Sequence, residues 1–282
     1  MATLHLVSTP IGNLGDLSPR AAETLRAADR ILAEDTRRTR ILADHVGSSA
    51  PLVSLHAHNE QERIGAILGW LDAGEELALV SDAGTPLVSD PGGRVVAAVA
   101  EAGHAVVPIP GPSAVLAALA ASGLPSERFT FLGFPARKGR ARTDDLERVR
   151  RAEETVVLFE SPNRLVRLLR DLAERCGERR VAVARELTKV HEEVVRGTLA
   201  EVARYYDERA PRGEVTLVVA PAVPPPDDAD RAERARALAR DLLAGGMKPS
   251  AAARELTERL DLARNEAYRI VHDFDEPATT DE

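Results

Sequence analysis

An α/β fold of two subdomains, with a small helical unit behind them, is predicted by three observations. Short apolar or alternating runs at residues 4–8, 52–55, 77–81 and 105–109 are separated by helical patterns, and such βα alternation builds a mainly parallel sheet covered by helices. After residues 122–129 a second set of strand-like runs follows, "FTFLGF", "TVVLFE", "VAVARELT", "EVVRGTL" and "EVTLVVA". Little helix is expected between them, which favours antiparallel pairs. Beyond "APAVPPPDDAD" at 220–230, a proline-rich and then acidic stretch of linker character, the pattern is helical only. The expected domains are residues 1–121, 122–222 and 228–275, with the subdomain boundary near 120–126.

Helix starts are marked chemically. Ser18-Pro19, Gly111-Pro112 and Ser161-Pro162 each set a cap-competent residue before a proline at the first helical position, where the missing N–H costs nothing. In the tail, one helix is expected to end at Gly245-Gly246, a second to start near Pro249, and "LDLARNEAYRIV" to form a third. With Arg264, Asn265 and Tyr268 on that third helix, the pair is like a helix-turn-helix unit. A small helical cap packed on the main domain is the competing reading.

Composition narrows the function. With 282 residues, 44% of them hydrophobic, the chain supplies enough apolar surface for one large domain or two modest ones. Three Tyr, five Phe and one Trp are too few for the stacking platforms of a single-strand binder, so any nucleic-acid contact leans on arginine. The net charge of −8 argues against nonspecific coating of nucleic acid but leaves room for local basic faces. "RKGRAR" at 137–142 is one, and residues 231–269, with nine Arg or Lys against six Asp or Glu, are another. A single cysteine, Cys176, excludes an internal disulfide within this chain and a cysteine-built zinc site. The first residues lack a basic and then apolar leader pattern, and no apolar run approaches a membrane span, so a cytoplasmic protein is expected.

Parallel sheets bind ligands outside the carboxyl ends of their strands, which selects five loops: "STPIGNLGD" (8–16), "EDTRRT" (34–39), "SDAGTPLVSD" (81–90), "PIPGPSA" (108–114) and "FESPNR" (159–164). Singly each is ordinary turn chemistry. At one sheet edge they suit a ligand that needs backbone contacts, a helix N-terminus for a carboxylate and an acceptor for a cationic centre. Residues 81–93, "SDAGTPLVSDPGG", fit neither the Walker A pattern nor G-x-G-x-x-G. His56 and His58 have strand spacing but no acidic or thiol neighbours in sequence, so no metal site is expected.

The segments "LVSTPIGNLGDLSPRA", "EDTRRTRIL", "SDAGTPLVSDPG", "PIPGPSAVLAALAASGLP", "FLGFPARKG", "FESPNRL" and "RELTKVHEE" occur in that order over roughly residues 4–220. As a set they resemble the rRNA-modifying branch of the tetrapyrrole-methylase superfamily of S-adenosylmethionine (AdoMet) enzymes. The resemblance implies two α/β subdomains with AdoMet in the cleft between them, a homodimer, and 2′-O-methylation of a cytidine ribose in the decoding region of 16S rRNA, free or in the small ribosomal subunit. "STPIGN" replaces the glycine-richer first loop of the wider superfamily, which turns the reading away from the precorrin branch. Carried over by position, the resemblance puts the methionine part of AdoMet at Asp82, Gly84, Thr85, Leu87 and Val88, closed by Gly111, Ser113 and Ala114. Pro10 and Gly12 edge the cleft, and Thr216 lines the adenine pocket. An Asx turn at Asp82 and an ordinary strand threonine at Thr216 remain alternatives.

A ribose hydroxyl is a poor acid, so a positioned base assists transfer. "ARELTKVHEE" supplies Glu186 as base or aligner and Lys189 for a phosphate or hydroxyl contact. If the strand continues, Glu186 and Thr188 share one face and Arg185, Leu187 and Lys189 the other. Arg37 and Arg38, the loop residues Arg137, Lys138, Arg140 and Arg142, and the tail residues Arg264 and Arg269 are the expected RNA contacts, with capping of a helix by Asp35 and Arg37 as the rival reading. A tetrapyrrole C-methyltransferase and a noncatalytic RNA- or ligand-binding regulator are the alternative functions.

Overall fold

In the computed structural model, which describes residues 2–222, 228–260 and 262–273, the chain parts into two units after Ala222. Five strands build the first sheet: β1 (Thr3–Val7), β2 (Arg30–Ala33), β3 (Leu52–Ser54), β4 (Leu77–Val80) and β5 (Ala105–Ile109). All neighbours are parallel, in the order β3-β2-β4-β1-β5. Period-two alternation sends Ile31, Ala33, Ala78 and Val80 to one face, against Leu25 of α1 (Pro19–Ala27) and Leu42 and Val46 of α2 (Thr36–Val46). Leu32, Leu77 and Leu79 go to the other, against Ile67 and Leu71 of α3 (Glu60–Asp72) and Val95 and Val99 of α4 (Gly93–Glu101). Both faces are therefore dry, as a parallel sheet requires. The sequence reading did not single out β2, a four-residue strand that opens on the charged Arg30. Tertiary contacts bury it, with the Arg30 guanidinium paired to Glu75 at 2.6 Å and lying over the Trp70 ring.

The second sheet joins β6 (Phe129–Gly133), β7 (Thr155–Glu160), β8 (Arg180–Arg185), β9 (Glu193–Thr198) and β10 (Val215–Val219) in the order β6-β7-β10-β8-β9. The β6–β7 pair is parallel and the rest antiparallel. The scarcity of helix expected here is corrected: α6 (Gly139–Arg151), α7 (Pro162–Cys176) and α8 (Leu199–Glu208) each separate consecutive strands, and only β8 and β9 are joined directly. Leu165, Leu168, Leu169 and Leu172 form the buried stripe of α7. They pack with α6 and α8 on Leu158, Val183 and Leu217.

The opposite face of this sheet is covered by α5 (Ala114–Ser122), whose Val115, Ala118 and Leu119 meet Val157, Ala182, Ala184 and Val218. The chain thus changes sheets at residue 114, ahead of the boundary expected at 120–126. Ser113 caps α5, its Oγ accepting from Leu116 N–H at 3.4 Å, and Pro112 lies outside the helix rather than at its first position. Ser18 caps α1 as expected, whereas the Ser161 hydroxyl, at the N-cap of α7, accepts instead from the Arg164 guanidinium at 3.1 Å.

The second unit consists of α9 (Asp228–Ala244), α10 (Pro249–Leu260) and α11 (Arg264–His272), packed through Ala235, Ala239, Ala252, Leu256, Ile270 and Val271. Of the linker expected at 220–230, residues 223–227 lie outside the described residues, as do residues 274 and 275 of the third expected domain. No described helix is long and apolar enough to cross a membrane.

One buried carboxylate fixes the helix that follows the longest site loop. The N-cap of α4 is Gly92, which has no side chain to cap with, and Glu60 of α3 substitutes, its Oε1 accepting from Arg94 N–H at 2.6 Å and Val95 N–H at 3.3 Å. Bonds to a charged acceptor of this kind contribute about 1.5–3 kcal/mol. Glu60→Ala is expected to lower the urea midpoint by an equivalent of about 2 kcal/mol, with the slope of the transition unchanged.

Candidate functional site

The loops at the carboxyl ends of β1, β2 and β4 meet the start of α5 and the edge of the second sheet around a cavity of about 410 Å³. Its framework is backbone. Thr9 and Gly84 exchange N–H···O bonds of 2.9 and 3.0 Å, the Ser81 hydroxyl donates to Gly84 O at 3.0 Å, and Ser8 N–H donates to Ile109 O at 3.1 Å. Gly84 has φ +82°, a left-handed conformation that side chains resist. Since both its peptide groups are taken by Thr9, Gly84 offers the ligand a bare backbone surface without a free N–H.

Of the predicted cofactor residues, Asp82, Gly84, Thr85, Val88, Ser113, Ala114 and Thr216 line this cavity. Asp82 is a bridge between loops: Oδ1 accepts from Asp35 N–H at 3.0 Å and Oδ2 faces the Arg38 guanidinium at 3.4 Å. The first-turn N–H groups of Ala114 and Val115, both lining residues, lie outside the helix's own ladder and give this end a positive potential. Thr216, buried in the central strand β10 between Phe159 and Ala184, closes the far wall. Four predicted residues stand elsewhere. Leu87 turns into the core beside Leu79, Gly111 lies against Ser8, Pro10 precedes the lining residue Ile11 without lining the cavity itself, and Gly12 faces Lys189.

Charge is concentrated on one wall. The Asp90 carboxyl is pushed up to about 6, first by burial and then by the charges of Glu34 and Asp82, while Glu34 is itself raised, chiefly by burial. Asp35 is held at about 2 by hydrogen bonds from Arg37. It caps α2 through Arg37 N–H at 2.9 Å and pairs with the Arg37 guanidinium at 2.8 Å, so the capping role exists alongside an 89% exposed arginine.

Glu186 and Lys189 lie outside the cavity, in an open depression with Gly12, Leu14, Thr188 and His191. The expected strand alternation does not reach them: β8 ends at Arg185, and Glu186 and Thr188 adopt left-handed φ of +51° and +67°. Lys189 Nζ donates to Glu186 Oε1 at 2.8 Å and to Glu214 Oε2 at 3.1 Å, and Glu214 lines the cavity. Hydrogen bonds from Lys189 and from Glu214 N–H hold the Glu186 carboxyl below its ordinary range. A Cβ at residue 12 would collide with the Lys189 stem, so the glycine there lets the β8–β9 loop cross the first loop.

Among the basic residues, Arg137, Lys138 and Arg140 are exposed, and so are Arg264 and Arg269 on α11. Arg142 is corrected: its guanidinium is buried, bonded to Asp171 Oδ2 at 2.6 Å and to Ala136 O at 3.2 Å, and it holds α6 to α7 instead of facing solvent. Cavity-lining residues not singled out from sequence include Asp90, Phe134, Phe159, Glu160 and Glu214. Glu160 is the second residue of the quoted "FESPNR" loop and Asp90 closes "SDAGTPLVSD", so loop position was their signal. Glu214 had none, since it sits in the turn before β10. Among the described residues no group of three or more His, Cys, Asp or Glu could hold a metal ion.

The sequence matches the family described as tetrapyrrole (corrin/porphyrin) methylases over residues 3–203. The chain belongs to the tetrapyrrole methylase family. A curated relative within it, the ribosomal RNA small subunit methyltransferase I of Synechocystis sp., is 47% identical over 271 residues, covering 96% of this chain and 97% of the relative. The protein of the same name from Xylella fastidiosa is 48% identical over 269 residues, covering 94% and 97%. Solved structures share the family fold at lower identity. A diphthine synthase superposes with TM-score 0.62 at 16% identity, over 78% of this chain and 90% of that one. The Thermus thermophilus uroporphyrin-III C-methyltransferase complexed with S-adenyl homocysteine superposes with TM-score 0.56 at 21% identity, over 79% and 99%.

Two outcomes follow from this geometry. A carboxyl raised to about 6 costs folding free energy once it ionises, and that cost is absent below the ordinary aspartate value, near pH 4. Asp90→Asn is therefore expected to stabilise the ligand-free protein at pH 8 and not at pH 4, read from urea midpoints at both. Arg142→Ala, which removes the bonds to Asp171 and Ala136 O and leaves Asp171, among the described residues, only Arg167 at 4.0 Å, is expected to cost about 2 kcal/mol, whereas Arg140→Ala, at a 95% exposed side chain, stays within about 0.5 kcal/mol of wild type.

Proposed function

We propose that the protein transfers a methyl group from AdoMet to the 2′-hydroxyl of a cytidine in the decoding region of 16S rRNA. The observation that carries this reading is the cavity between the two sheets, in a chain that aligns over 96% of its length with an rRNA methyltransferase I. The residues present fit AdoMet: the first turn of α5 for a carboxylate, the Asp82 and Asp90 carboxylates for cationic centres, and an aromatic and apolar wall at Phe134, Phe159 and Thr216 for a base. When bound, AdoMet supplies the methyl group on a sulfonium. The chain's own residues then have to align the acceptor hydroxyl in line with it and exclude water.

Glu186 and Lys189 are the proposed catalytic pair. A carboxylate held below its ordinary range is a weak base, so the aligner role suits Glu186: it orients Lys189, whose ammonium meets the incoming hydroxyl or its phosphate. Arg37, Arg38, Arg137, Lys138 and Arg140 are proposed backbone contacts on the first unit, and Arg264 and Arg269 on the second. A cytoplasmic homodimer belongs to the same reading. Val107 on the edge strand β5 and Leu116 on α5, 37% and 56% exposed, are the apolar surface a second copy would cover.

The test is incubation with methyl-labelled AdoMet and, in parallel, small ribosomal subunits, free 16S rRNA or a tetrapyrrole. The expected product is label in rRNA that survives alkaline hydrolysis as a dinucleotide, because a methylated 2′-oxygen no longer attacks its phosphate. Label in the tetrapyrrole, or in an alkali-labile nucleotide, would overturn the reading. Gly84→Val is expected to abolish AdoMet binding in calorimetry and to cost about 1–2 kcal/mol of stability through its left-handed backbone. Truncation after Ala222 is expected to leave AdoMet affinity intact while RNA affinity and its salt dependence both fall.

A further inference from the structure

The strand β6 does not run evenly into the loop that follows it. Its pairing with β7 slips between Phe131 and Gly133, and Gly133 is left-handed at φ +67°. A bulge beside a cavity re-aims the side chain that comes next. Phe134 stands on the cavity wall with 55% of its surface exposed. Its ring centroid is 5.5 Å from that of Phe159, and Phe159 is in turn 4.9 Å from Phe131, so three of the chain's five phenylalanines form one row. The two inner rings are half-buried. The outer one keeps free aromatic surface at the cavity.

The segment after Phe134 is anchored. Ala136 N–H donates to Asp145 Oδ2 at 2.9 Å and Ala136 O accepts from the Arg142 guanidinium at 3.2 Å, so the N–H and the C=O of this residue are both tied to α6. Pro135, between the anchor and the ring, is buried. Beyond the anchor Arg137 and Lys138 are exposed. An exposed ring held three and four residues from two cations matches a nucleotide, whose base offers a π-face and whose phosphates offer negative charge. AdoMet carries no phosphate, so these cations have no partner in the cofactor, and the outer ring goes with them to the other ligand of the cavity. A second copy of this chain is a poorer match, because a two-fold contact here sets the same positive loop against itself.

We propose that Phe134 stacks on the base of the acceptor nucleotide while Arg137 and Lys138 hold its flanking phosphates. Every base has a π-face, so the contact positions the ribose and leaves the choice of base to other groups. One ring serves one base, which a chain too poor in aromatic residues for an extended stacking platform can still supply. The inner wall at Phe159 and Thr216 is left to the adenine of the cofactor. The proposal rests on the reading of this cavity as the site of methyl transfer to rRNA, and it names the part of the site that holds the substrate.

The test uses the full-length protein with Phe134→Leu, Phe134→Tyr and Phe134→Trp. Affinity for S-adenosylhomocysteine, by calorimetry, is expected to stay within about 2-fold of wild type in all three, as for other exposed positions, and this also shows that they fold. Transfer of label from AdoMet to unmethylated small ribosomal subunits is expected to fall in kcat/KM by about 5- to 150-fold in Phe134→Leu, the range of one stacked base. Phe134→Tyr keeps the ring and is expected to keep the rate. The emission of Phe134→Trp is expected to be quenched by oligocytidylate, with wild-type protein, which carries Trp70, as the background. Undiminished transfer in Phe134→Leu, an equal loss in Phe134→Tyr, or no quenching in Phe134→Trp overturns the proposal. So does a loss of S-adenosylhomocysteine affinity that parallels the loss of transfer, since it gives the ring to the cofactor. If wild-type protein labels no RNA, the rRNA reading fails instead, and the emission of Phe134→Trp still decides the role of the ring.

Discussion

The reciprocal hydrogen bonds between Thr9 and Gly84 join the loops leaving two adjacent strands of the parallel sheet, β1 and β4, and the remaining site geometry hangs from that joint. Both peptide groups of Gly84 are consumed by it, and the Ser81 hydroxyl adds a third bond to the same carbonyl. With the glycine held left-handed, Asp82 projects toward the β2 loop and accepts from Asp35 N–H, while Thr85 and Val88 turn to the cavity. The consequence is a ligand wall whose position depends on backbone bonds rather than on exposed ion pairs, which contribute at most about 1 kcal/mol each. The Arg38–Asp82 contact, at 3.4 Å with a 62% exposed arginine, is such a pair and decorates a frame already set.

Helix α5 does the corresponding work between the sheets. It leaves the end of β5, sends its N-terminus into the cavity and packs its buried side chains on the second sheet. Because one helix serves both halves, the cavity wall and the hydrophobic contact that joins the halves cannot shift independently. The Lys189 stem passing over Gly12, and the Lys189 ammonium reaching Glu214, form a second tie across the mouth.

The same two-sheet frame occurs in a diphthine synthase and in a uroporphyrin methyltransferase at 16% and 21% identity, so the fold leaves the methyl acceptor open. An exposed basic loop at Arg137, Lys138 and Arg140 lies a few residues from Phe134 at the cavity, and a separate three-helix unit carries Arg264 and Arg269 outward. Positive charge on an otherwise acidic chain concentrates at these places.

The sequence by itself determined the two-sheet architecture, nine of the ten strands among the described residues and the loops that make the cavity, because hydrophobic period, proline and glycine act within a few residues. Asp82, Thr85 and Ser113, which line the cavity, were legible as members of ordered motifs, and Thr216 as part of a strand run. Tertiary structure alone decided the rest. It buried β2 and carried α5 to the second sheet. It also spent the Arg142 guanidinium on Asp171 and Ala136, although in sequence that arginine is indistinguishable from exposed Arg140. Glu160 sits in a loop the sequence selects, but its place at the cavity is set by strand pairing, which brings the end of β7 beside β10. Local patterns report what a residue does to its own backbone. Which groups lose water, and which partners remain for them, depends on atoms distant in the chain.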